Sequence, residues 1–125
     1  MIGDFTPHAK KWGHVGAKHL AKLYVEQGWH IIFEELFESD LSLENTRKWS
    51  MHQGLPCFIF HLTANIVDVH IRNQSSGRDI LTEERLLYLT QLVENSIPSD
   101  ALVINTSTNS VDTCVELVMA SIQTR

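Results

Sequence analysis

Cysteine is scarce in this chain. Cys57 and Cys114 are the two among 125 residues, and no C-x-x-C spacing relates them, so the sequence carries neither a zinc ribbon nor a dithiol redox motif. Three prolines and six glycines are too few for a collagenous or linker-like chain. No apolar run approaches the roughly 20 residues that span a bilayer. The opening stretch MIGDFTPHAKKW lacks the apolar segment of a secretory signal. These absences set the expectations of a cytoplasmic location, no membrane contact, and two reduced thiols buried in the apolar runs that hold them. Also missing are a Gly-rich phosphate loop, an H-E-x-x-H helix and any Ser-His-Asp spacing.

Basic charge is in short supply as well. Ten Lys and Arg face fifteen Asp and Glu, a formal charge of -5. Tight nonspecific binding to a phosphate backbone, which needs several cations acting together, is therefore disfavoured. Four of the ten, with three histidines, lie together at one end: His8, Lys10, Lys11, His14, Lys18, His19 and Lys22 form a basic strip, while 34–44 is acidic. Lys11, Lys18 and Lys22 are the candidate anion contacts on that strip. The plain alternative is a solvated helix face.

At 43% apolar residues, one domain over 1–125 with a single core is expected. Thr6 and Pro7 read as N-cap and first helical residue, and Gly28 as the left-handed residue that ends the helix near Gln27. Gly13 and Gly16 inside that helix imply a close approach by a neighbouring element. Trp29 to Phe37, with Ile31 and Phe33 alternating, reads as a strand. Asp40 caps a short helix carrying Leu43, Arg47 and Trp49. Cys57 to Leu62 and Asn65 to Arg72 read as two strands of a hairpin, bounded by Gly54 and Pro56. Thr82 caps a helix with Leu86, Leu89, Val93 and Ile97 on its buried side, stopped by Pro98. Ala101 to Asn105 suits a buried parallel strand. Asn109 or Ser110 caps a last helix with Val111, Val115, Val118 and Ile122 on one side. The expected fold is α/β, or α+β with a mixed sheet, in two or three layers, ordered α-β-β-β-α-β-α.

A two- or four-residue hairpin loop places His61 opposite Asp68. It also leaves His61, Asp68, His70 and Arg72 on one face, as ligands, charge partners or solvated strand residues. A carboxylate with one or two imidazoles fills only part of a metal shell, and His14, His19, His52 or Glu35 could add to it only through the fold.

The element order resembles the core of the PD-(D/E)XK, or restriction-endonuclease-like, fold. GHVGAKHLAKLY from Gly13 to Tyr24, followed by GWHII from Gly28 to Ile32, is similar to the opening helix and strand of Holliday-junction-resolvase-like members. Val67-Asp68-Val69-His70 is similar to their third-strand motif, in which a carboxylate holds divalent metal and a lysine two residues on assists the attacking water. Asp68 matches the carboxylate, and His70 stands where lysine is expected. Ala17 stands where a glutamate is common, and 54–61 holds no acidic residue for the second-strand position. The resemblance implies a noncatalytic domain of nuclease-like fold that contacts nucleic acid or a protein partner and needs no cofactor. A second implication is a nuclease using Mg or Mn, with Asp68 and His70 catalytic and Asp68 and Glu35 as metal ligands. A third class, independent of the resemblance, is a small-molecule-binding or oligomeric module, with Trp12, Trp29 or Trp49 on a pocket or homodimer surface.

Overall fold

A computed structural model describes residues 7–37 and 40–123 of the chain, with side chains from 11–37 and 41–123. Helix α1 runs Pro7–Glu26, α2 Asp40–His52, α3 Ile66–Ser75, α4 Glu83–Glu94 and α5 Val111–Gln123. Strands β1, Phe60–Thr63, and β2, Leu102–Asn105, pair in parallel in register Phe60 with Leu102 through Thr63 with Asn105. The order is α1-α2-β1-α3-α4-β2-α5. The chain is thus mixed helix and strand, with one helix pair crossing between two parallel strands, as parallel pairing requires. Among the described residues no helix is long and apolar enough to cross a membrane.

Capping decides most of these boundaries. Helix α1 starts at Pro7 and ends before Gly28, whose φ of +86° is the left-handed conformation that glycine adopts at no steric cost. The Thr6 cap lies outside the described residues. Helix α2 forms where expected. Thr82 caps α4 by accepting from the Arg85 N–H, and Ser110 caps α5 by accepting from the Thr113 N–H. Helix α4 ends at Glu94 with Asn95 as its C-cap, before Pro98 is reached.

The hairpin is overturned. Residues 66–72, expected within a third strand, belong to helix α3, because the Asn65 side chain accepts from the Asp68 N–H and starts a helix against the β-branched composition of Ile66, Val67 and Val69. The spacing of Ile66, Val69, His70 and Asn73 also fits one helical face. The strand partner of β1 is β2, and His61 stands opposite Val103, not Asp68.

The expected first strand is overturned as well. Residues 30–37 are irregular and outside the sheet, Phe37 having a φ of +27°, and none of them makes a backbone hydrogen bond to another described backbone group; Trp29 N–H alone in the segment bonds back, to Tyr24 O. Side chains hold the segment to the helices instead. His14 Nε2 lies 2.8 Å from Glu35 Oε1, and the Phe33 and Trp49 rings meet edge to face at 5.7 Å. Two smaller expectations also fail. A side-chain carbon at Gly13 or Gly16 would meet nothing within 4 Å among the described residues, so no close approach by them explains these glycines. Cys57 is exposed and Cys114 half-buried, both as free thiols, because β1 starts three residues after Cys57 and leaves it in a loop.

Burial is thin. Among the described residues Ala21, Ile104 and Ser50 are the buried ones, and Ile104, in the middle of β2, is 1% exposed. Arg47 of α2 grips Asp100 just before β2 through a two-pronged ion pair, one arm at 2.9 Å. The hydrogen bond that Arg47 donates to Asp100 is the main reason the Arg47 pKa is raised above its ordinary value. Truncating Ile104 to Ala is expected to cost about 2–4 kcal/mol in urea unfolding. Val103→Ala, at a neighbour 52% exposed, is expected to cost about 1 kcal/mol or less. Equal losses would show that β2 is not anchored through Ile104.

Candidate functional site

Because β1 and β2 are parallel, both end at the same edge of the sheet, and each runs through a short loop into a helix. Thr63 leads through Ala64 and Asn65 into α3, and Asn105 leads through 106–110 into α5. The N–H-bearing starts of two helices therefore follow directly from one strand edge. In open parallel sheets this carboxyl edge is where ligands bind, since loops there are free of ladder pairing and helix N-termini present donors.

Polar side chains tie the two junctions together. Thr106 donates its N–H (2.7 Å) and its hydroxyl (2.9 Å) to Thr63 O, extending the β1–β2 pairing by one residue. Arg72, two turns into α3, reaches across and donates from Nη1 to Thr106 Oγ1 at 2.8 Å and from Nη2 to Thr106 O at 3.1 Å. Asn65 donates its N–H to Ser107 Oγ at 2.9 Å, and Ser107 N–H in turn donates to Asn105 Oδ1 at 2.8 Å. The result is a polar rim fixed at Thr63, Asn65, Arg72, Thr106 and Ser107. Arg72 is exposed, so the remaining N–H groups of its five-donor fork can still meet a ligand. Asp68 and Asp112 occupy the first turns of α3 and α5 and offset part of the positive potential of those helix ends.

The other expected site residues are dispersed. Asp68 and His70 stand two residues apart on a helix, about 200° around its axis, so they cannot face one metal or one water as a strand would have placed them. Asp68 belongs to the capped first turn, and His70 Nε2 lies 3.9 Å from Glu83. Glu35 is paired with His14. Among the described residues no group of three or more His, Cys, Asp or Glu is placed to hold a metal. His61 is half-buried on β1. Lys11, Lys18 and Lys22 do share one face of α1 by helical spacing. Lys22 lies 4.0 Å from Glu26, and Lys18 lines an open groove of about 230 Å³ with His14, Phe33, Glu34, Glu35 and Thr46. Two carboxylates in that groove, Glu34 and Glu35, oppose an anion beside Lys18.

Of the residues named from sequence, Arg72 alone lies on the rim; Thr63, Asn65, Thr106 and Ser107 were missed. Their signal was present: the hydroxyl- and amide-rich run from Asn105 to Ser110 follows the expected parallel strand and precedes a helix. It is readable only when the strand it must sit beside is known.

Compared with known proteins, the chain matches no family model, no curated protein and no solved structure. The geometry of the rim is thus the ground for a functional reading.

Asn65 serves the rim twice, through its side chain as the α3 cap and through its backbone on Ser107. Asn65→Ala is expected to lower stability by about 1 kcal/mol in urea unfolding, and Asn65→Asp, which keeps a capping oxygen, to retain most of it. Equal losses in the two variants would mean that the cap is not what starts α3.

Proposed function

We propose that this chain is a binding module for a small anionic ligand, of the phosphate-bearing class, held at the carboxyl edge of the β1–β2 pair. The observation that carries the reading is Arg72, whose guanidinium is fixed on Thr106 between two strand-to-helix junctions. A planar fork already oriented by two hydrogen bonds loses little side-chain freedom when it takes a planar or tetrahedral oxyanion. Backbone N–H groups at the starts of α3 and α5 offer the additional donors that such anions accept.

The module is read as noncatalytic. The separation of Asp68 and His70 around α3 supports binding over hydrolysis through that pair, and the net charge of -5 favours a compact anion over a nucleic-acid backbone. A protein or nucleic-acid partner reached through Lys11, Lys18 and Lys22 is the weaker reading, since Lys22 is drawn to Glu26 and Lys18 faces Glu34 and Glu35 across the groove. No cofactor enters the proposal.

Isothermal titration with inorganic phosphate, pyrophosphate and a nucleoside triphosphate at low salt tests it. Binding is expected for at least one of the three, weakened about tenfold or more by Arg72→Ala, the worth of one or two charge-assisted hydrogen bonds. Asp68→Asn should tighten binding a few-fold, because it removes a like charge from the α3 start. Binding unaffected by Arg72→Ala would sink the site, and Mg- or Mn-dependent cleavage of labelled DNA that disappears in Asp68→Ala would replace it with the nuclease reading.

A further inference from the structure

Two deficits in this fold match each other. The first is a strand-like segment outside the sheet: Trp29 to Phe37 has the β-branched and aromatic composition of a strand, yet residues 30–37 make no backbone hydrogen bond to another described backbone group. Ile32, in the middle, is 92% exposed. The second is a sheet without neighbours. Among the described residues β1 and β2 are each paired on one side only, and a two-stranded parallel sheet of four-residue strands is far below what is stable alone, since parallel sheets occur covered on both faces and extended by further strands.

The segment does not meet this need within its own chain, because the His14–Glu35 pair and the Phe33–Trp49 contact hold it against α1 and α2. Surface area points outward as well. The chain exposes 9804 Å², whereas a folded monomer of 14.2 kDa exposes about 6,800 Å² by the scaling of area with mass. Even a third of that excess, on the order of 1,000 Å², is what each partner contributes to an obligate homodimer interface. Leu36 and Leu62 are large apolar residues left exposed on the segment and on β1.

We propose that the partner is a second copy of this chain, with the 30–37 segment of each copy adding as a strand along the free edge of β1 in the other. A two-fold exchange meets both deficits at once, since every copy supplies one segment without backbone pairing and an open β1 edge, while β2 keeps an open edge of its own. The interface is centred on Ile32, with Leu36 beside it and Leu62 on the receiving strand. It is independent of the anion site, which lies at the end of the sheet and not along its edge.

Sedimentation equilibrium on the full chain from about 1 to 100 μM is expected to give twice the 14.2 kDa monomer mass. Ile32→Lys should raise the dissociation constant by at least about 30-fold, as removal of a central anchor does. Ile32 is so exposed in the single chain that this change removes no internal packing, and helical circular dichroism should be retained. Hydrogen exchange on the unaltered chain supplies a readout without any variant: amides 30–37 should be protected at 100 μM and lose protection on dilution. A monomer across the whole range, or a dimer whose 30–37 amides exchange freely, overturns the proposal.

Discussion

The parallel pairing of β1 with β2 is the constraint on which the rest of this structure depends. Parallel strands cannot be joined by a tight turn, so the chain between them must travel back the length of the sheet, and α3 and α4 do so. The same direction puts Thr63 and Asn105 at one edge. From that follow the two strand-to-helix junctions, the polar knot around Thr106, and the position of Arg72. Ile104 is the residue that makes the pairing hold, being the large apolar side chain enclosed almost completely.

Around that anchor the fold is held by polar ties more than by apolar burial. Arg47 on Asp100 links α2 to the start of β2, Arg72 on Thr106 links α3 to its end, and Asn65 on Ser107 joins the two junction loops. Exposed ties of this kind contribute on the order of 1 kcal/mol or less each. They specify geometry well and supply little stability. A chain so arranged gains most from any interaction that removes apolar surface from water, which is why an unpaired strand and an unpaired sheet edge carry more weight here than they would beside a large core.

The nuclease-like resemblance shows how much can rest on one assignment. Val67-Asp68-Val69-His70 has the alternation of a strand that puts two functional side chains on one face, and the same four residues on a helix point them apart. The β-branched composition favoured the strand, while Asn65 favoured the helix by satisfying an N–H three residues on. A local cap and the helical spacing of Ile66, Val69, His70 and Asn73 outweighed propensity, and the carried-over metal roles of Asp68 and Glu35 lost their geometric basis with it. Arg72, placed among the binding residues as part of a strand face, keeps a binding position because α3 returns it to the same sheet edge.

The sequence by itself determined the elements whose signals are local: the end of α1 before Gly28, the cap at Thr82, the apolar run that becomes β2, and a cap at Asn109 or Ser110. The caps and the α1 end depend on side-chain hydrogen bonds or backbone freedom within a few residues, and the β2 run on its own apolar composition. Only the tertiary structure decided which strands pair. Hydrogen bonding between β1 and β2 joins residues about 42 apart, and nothing in either segment names its partner. That choice removed the hairpin, left 30–37 outside the sheet, and brought Arg72 to Thr106. A site assembled from separate segments is therefore set by strand pairing, a property of the whole chain that no local pattern encodes.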